Sequence, residues 1–144
     1  MLRKTLIYLS KQQRIFDFIR GNPLASRFAS RFVAGDTLDT AVAAVRLLNA
    51  KGITATLDLL GESVSTQSEA DAAVAGAIAI LERIAAEKPQ ANLSVKLTQL
   101  GFDVDPVKFA ANIRSILDRA KALGIFVRID MEGSAHTQRT LDLF

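Results

Sequence analysis

Glu62, Lys96, Asp130 and Glu132 are the residues of this chain best placed to do chemistry, because each follows or ends a short apolar segment. Glu62 follows residues 53–60 (ITATLDLL), Lys96 lies near the end of 92–97 (NLSVKL), and Asp130 and Glu132 close 125–132 (IFVRIDME). If those segments are neighbouring parallel strands, they deliver carboxylate, ammonium and carboxylate to one rim, the reactive face of parallel α/β folds. A lysine inside a strand is costly to bury unless paired, so Lys96 is expected to face Asp130 or an anionic ligand. A stabilising ion pair without chemistry is the plain alternative. Thr98 and Gln99 can donate to a ligand or cap the short loop before Phe102. His136, the single histidine, reads as a solvated or capping residue near the same rim. Gly61 and Gly101 are isolated, so no glycine-rich phosphate loop opens any helix.

The elements that must position these groups repeat one layout from Gly35 onward. Asp36 caps a helical stretch whose Leu38, Val42, Val45 and Leu48 share a face, and Gly52 stops it. Residues 53–60 follow as the first strand. Thr66 and Glu69 form a capping box for a second helix with Val74, Ala77, Ile78, Leu81 and Ile84 on its face, ended by Pro89. Residues 92–97 are the second strand. Asp105 and Pro106 open a third helix with Phe109, Ile113, Ile116, Leu117, Ala120 and Leu123 aligned, closed by Gly124. Residues 125–131 are the third strand, and Ser134 is expected to cap a last helix.

Strands alternating with amphipathic helices imply βαβ units and a parallel sheet. An open doubly wound sheet buries its central strands on both faces, so they read as almost wholly apolar. Here Thr54, Thr56 and Asp58, then Ser94, Lys96 and Thr98, then Arg128, Asp130 and Glu132 place polar groups on one side of each strand. Val95, Leu97, Val127, Ile129 and Met131 take the other. That pattern favours a (β/α)8 barrel with a ligand-holding interior.

Composition narrows the classes further. The 144 residues are 49% apolar and 23% charged with net charge +3, which fits a globular chain rather than a disordered one. The absence of Cys excludes disulfides, thiolate catalysis and thiolate metal sites, and no metal site is expected. Positive charge concentrates at the front, where Arg3, Lys4, Lys11, Arg14, Arg20, Arg27 and Arg31 face a single acid, Asp17. Such a basic amphipathic arm either packs on the domain with its cations solvated or lies on an anionic membrane surface. Nucleic acid is not an expected partner. No apolar run approaches the ~20 residues of a membrane span, and no signal-peptide pattern opens the chain. A cytoplasmic protein is expected.

The segments LLGE (59–62), SVKLTQLG (94–101) and FVRIDME (126–132), preceded by NPL (22–24) and RFVAG (31–35), resemble the bacterial monofunctional proline dehydrogenase family. The resemblance runs over almost the whole chain. It implies a flavin-dependent (β/α)8 barrel that oxidises L-proline to Δ1-pyrroline-5-carboxylate, with hydride passing to non-covalent FAD and electrons onward to a membrane quinone. It places the substrate-binding lysine on Lys96, the active-site aspartate on Asp130 and a flavin contact on Met131. Gly133 stands where the family pattern has an acidic residue. The family's later flavin-binding strands, its catalytic arginine and its arginine-bearing last helix have no counterpart here. A full barrel takes ~250 residues. The expected organisation is therefore an N-terminal helical arm over 1–34 and the first three strand–helix units of a truncated barrel over 35–144. A non-catalytic barrel remnant acting only by association is the alternative. Schiff-base chemistry at Lys96 ranks last, because it needs a neutral amine and a neighbouring carboxylate opposes that.

Overall fold

The structure is a computed structural model and describes residues 37–61 and 64–143. The proposed arm over 1–34, Asp36 and Glu62 lie outside the described residues. The chain divides into two compact units, residues 1–44 and 45–144. Helix α1 (Leu38–Asn49) begins in the first, where Thr37 Oγ1 accepts a hydrogen bond from the Thr40 amide at 3.3 Å.

In the second unit, strands and helices alternate: β1 (Ala55–Asp58), α2 (Gln67–Glu87), β2 (Ala91–Val95), a 3-10 turn (Thr98–Leu100), α3 (Pro106–Leu123), β3 (Val127–Ile129) and α4 (Ser134–Leu141). The strands pair in the order β1-β2-β3, all parallel. Helices α2 and α3 thus serve as the crossovers that parallel pairing requires. The strands end earlier than the apolar segments suggest, β1 at Asp58, β2 at Val95 and β3 at Ile129.

Local sequence sets the helix ends. Thr66 accepts from the Glu69 amide while Glu69 reaches back to the Thr66 amide, a reciprocal capping box. Asp105 accepts from the Val107 and Lys108 amides, with Pro106 as the first helical residue. Gly124 ends α3 in the left-handed region at φ 67°. Helix α4 differs from expectation. Ser134 is its first residue, the N-cap is Gly133, and no side chain caps it.

Asn49 joins the starts of two strands. Its amide donates to the Ile53 carbonyl at 2.9 Å and the Gln90 carbonyl at 3.2 Å, and its side-chain oxygen accepts from the Gln90 amide at 2.8 Å. The core lies on the helix side of the sheet. Leu57 and Leu93 sit opposite each other in register and are both buried. Helix α2 packs against α3 and β2, burying Ala70, Ala73, Ala77, Ile80, Leu81 and Ile84. Helix α3 contributes Phe109, Ile116 and Ala120. Covering a leucine such as Leu81 or Leu93, each 0% exposed, stabilises the fold by about 2–3 kcal/mol. The buried stripe of α3 is narrower than its apolar periodicity, for Leu117 stays 41% exposed. Among the described residues no helix is long and apolar enough to cross a membrane.

Candidate active site at the strand ends

Register places the polar face. Asp58, Ser94 and Arg128 lie side by side across the three strands. Their neighbours Leu57, Leu93 and Val127 are likewise in register and alternate to the helix side. Two residues on, Lys96 follows β2 and Asp130 follows β3. The Asp130 amide still donates to the Val95 carbonyl at 3.0 Å, which extends the ladder to the rim.

Lys96 meets two carboxylates there. Its Nζ pairs with Asp58 Oδ2, and Asp130 Oδ2 lies 3.7 Å away. Asp130 is fixed from its other oxygen, Oδ1, which accepts the Ser94 hydroxyl at 2.6 Å. Lys96 therefore does face Asp130, as its position in the sequence suggests, yet its direct partner is Asp58. The sequence reading missed this aspartate as a site residue. The signal was its place as the last polar residue of the Thr54, Thr56, Asp58 alternation.

Glu132 has a different role from the rim carboxylates. Its Oε2 accepts from the Thr98 amide at 2.9 Å, and its Oε1 accepts the Thr98 hydroxyl. Thr98 is not a strand residue but opens the 3-10 turn after β2, so this contact ties the ends of β2 and β3 together. Gln99 is also buried and donates to the Leu59 carbonyl at 3.2 Å, which ties the turn to β1. A Cβ added at Gly61 would stand 2.7 Å from Gln99 Nε2, so the glycine makes room for that tie. Both polar residues thus brace the rim from within.

A cavity of about 570 Å³ opens over this rim, lined by Lys96, Thr98, Asp130, Met131, Glu132 and residues 133–136. That volume is in the range of small-molecule sites. Met131 is 54% exposed and presents a thioether and apolar stem beside the charged groups.

His136 is partly exposed and is paired rather than capping a helix. Its Nε2 is 2.7 Å from Asp103 Oδ2, while Arg139 Nη1 donates to Asp103 Oδ1 at 2.7 Å. Arg139 also donates to the Phe102 carbonyl at 3.1 Å and stacks 4.1 Å from the Phe102 ring centre. Hydrogen bonds from Arg139 first, then from the His136 ring, hold the Asp103 carboxyl below the usual aspartate range. This cluster binds α4 to the segment between the 3-10 turn and α3.

Parallel strands linked by helices, with charged side chains gathered at their carboxyl ends, define an α/β protein of the kind that places its site at that rim. The proline dehydrogenase family profile matches residues 41–144. Proline dehydrogenase 1 of Bacillus subtilis is 36% identical over 146 residues, an alignment that takes in 100% of this chain and 47% of the relative. Proline dehydrogenase of Deinococcus radiodurans is 29% identical over 147 residues, again spanning 100% of this chain and 47% of the relative. The chain belongs to the proline dehydrogenase family, and it spans about half the length of these relatives. Among solved structures, proline utilization A from Bdellovibrio bacteriovorus inactivated by N-propargylglycine superposes with a TM-score of 0.75 at 22% identity. The match covers 83% of this chain and 15% of that one. It supports the fold, which is α/β with the first three strands of a partial barrel.

Proposed function

We propose that this chain carries the proline-recognising part of an FAD-dependent proline dehydrogenase, an oxidoreductase converting L-proline to Δ1-pyrroline-5-carboxylate. The observation that carries the reading is the juxtaposition of Lys96 and Asp130, 3.7 Å apart at the ends of adjacent strands, in a chain of this family. Free proline is a zwitterion, and the cavity lining sets the Lys96 ammonium beside the Asp130 carboxylate. Lys96 donates to the substrate carboxylate, because an ammonium makes charge-assisted bonds there. Asp130 accepts from the substrate nitrogen through Oδ2, since Oδ1 already holds the Ser94 hydroxyl. That pairing orients the ring carbon beside the nitrogen toward the Met131 side of the cavity. Oxidation removes a hydride from that carbon and a proton from the nitrogen, leaving a C=N bond.

When bound, FAD supplies the two-electron acceptor for that hydride, and Met131 is the described residue suited to touch its ring. Glu132 and Thr98 hold the two strand ends in register while this happens. Quinone is the proposed destination of the electrons. In a cytoplasmic enzyme the basic front of the sequence would meet the membrane surface, through its charge pattern alone. The arm over 1–34 and the barrel segment over 35–144 remain the proposed organisation.

The test uses these residues within a flavin-loaded protein of the relatives' full length. Lys96→Ala should raise the KM for L-proline roughly ten- to hundredfold, the loss of one charge-assisted hydrogen bond. Asp130→Ala should slow proline-driven bleaching of the flavin band. Normal proline turnover in both variants overturns the site assignment, and a parent protein that never bleaches with proline overturns the function.

A further inference from the structure

We infer that Asp58 and Ser94 are positioning residues that hold Lys96 and Asp130 apart as two poles for a zwitterionic ligand. The inference rests on the proposed reading of the rim and adds the reason that its central pair stays open. Lys96 and Asp130 are cross-strand neighbours, one step beyond the Val95–Ile129 pair of the parallel ladder. An ammonium and a carboxylate so placed ordinarily close to a charge-assisted hydrogen bond of about 2.7–2.9 Å. Here they stop at 3.7 Å, beyond hydrogen-bond length but within ionic reach.

Each is drawn to a partner on its far side. Asp58 takes the Lys96 ammonium from β1, and Ser94 takes Asp130 Oδ1 from the middle of β2 at 2.6 Å. Ser94 is 4% exposed, so its hydroxyl is a fixed anchor. Lys96, Thr98, Asp130, Met131 and Glu132 line the cavity, whereas Asp58 and Ser94 do not. Both therefore touch the poles without facing the space a ligand would occupy. A closed Lys96–Asp130 pair would have to be broken by each incoming ligand, at a cost in affinity. With the two groups held separately, a carboxylate and an amine on one small molecule can meet both at once. A ligand with only one of those groups satisfies a single pole.

The experiment compares Asp58→Asn, Asp58→Glu and Ser94→Ala in the flavin-loaded, full-length protein. Asp58→Asn keeps the side-chain volume and removes the charge that holds Lys96. The KM for L-proline should rise about tenfold while kcat changes less than about threefold, the signature of lost ligand binding. Asp58→Glu should restore most of the loss. Ser94→Ala, which leaves the Asp58–Lys96 pair intact, should shift KM in the same direction. A crystal structure of Asp58→Asn should show Lys96 Nζ closed to hydrogen-bond distance on Asp130. An unchanged KM overturns the inference. So does a lowered KM, which would make Asp58 a competitor of the substrate carboxylate, and so does a fall in kcat alone. The crystallographic contact needs no proline. If the parent protein fails to oxidise proline, the functional reading fails, and the Lys96–Asp130 distance in the variant still decides the positioning role.

Discussion

Asp103 is held by two side chains at once, the Arg139 guanidinium and the ring of His136, and its titration should be visible in the stability of the protein. Its carboxyl lies below the usual aspartate range in the folded state. The folded state therefore binds the proton less readily than the unfolded chain, and the stabilisation is present above the unfolded value. It is lost as pH falls through the folded value. Asp103→Asn should lower the melting temperature at neutral pH by a small amount, because the Asp103 side chain is 44% exposed and solvent screens the pair. The gap between parent and variant should narrow toward zero as the pH drops below about 4, the ordinary aspartate range. Thermal melts across pH measure this directly. A gap that persists unchanged in acid would show that packing of Arg139 on Phe102, rather than charge, holds α4.

The capping box of α2 makes a complementary prediction for a whole element. The Ser65 and Thr66 backbone amides hold the Glu69 carboxyl below the ordinary glutamate range, and Thr66 returns a bond to the Glu69 amide at 3.3 Å. Thr66→Ala should cost about 1 kcal/mol in denaturant unfolding, with the slope of the transition unchanged. A loss well above that would mean that Thr66 serves more than its helix end. This cap was legible in the sequence because its partners are three residues apart, as were Asp105 with Pro106 and Gly124 after α3. The polar face was legible too, since alternation has a period of two wherever one side is buried. Contacts between distant residues were not. Asp58 reaches Lys96 across 38 positions and Asp103 reaches His136 across 33. Neither pairing follows from spacing, because it depends on which strand ends and loops the fold brings together. Gly133 rather than Ser134 caps α4 for a related reason, since the chain has only just left β3 and the Asp103 cluster anchors the helix instead.

For the molecule as a whole, the sheet described here is a three-stranded parallel one with β1 and β3 at its margins. Among the described residues neither margin has a further strand, and unpaired strand edges are templates for association. A closed barrel removes such edges altogether, which is what the remaining half of the relatives' length can supply. A polypeptide of these 144 residues produced alone should therefore self-associate in sedimentation velocity and retain no FAD. Fusing it to the part of Bacillus subtilis proline dehydrogenase 1 that it does not span should suppress association and restore a flavin band that proline bleaches. The two results separate a catalytic segment from a barrel remnant that acts only by association. A remnant would associate in both forms and never bleach. A monomeric 144-residue chain that bound FAD and bleached with proline would place the whole redox site within these 144 residues. The further length of the relatives would then be dispensable for chemistry, leaving edge closure as its only contribution.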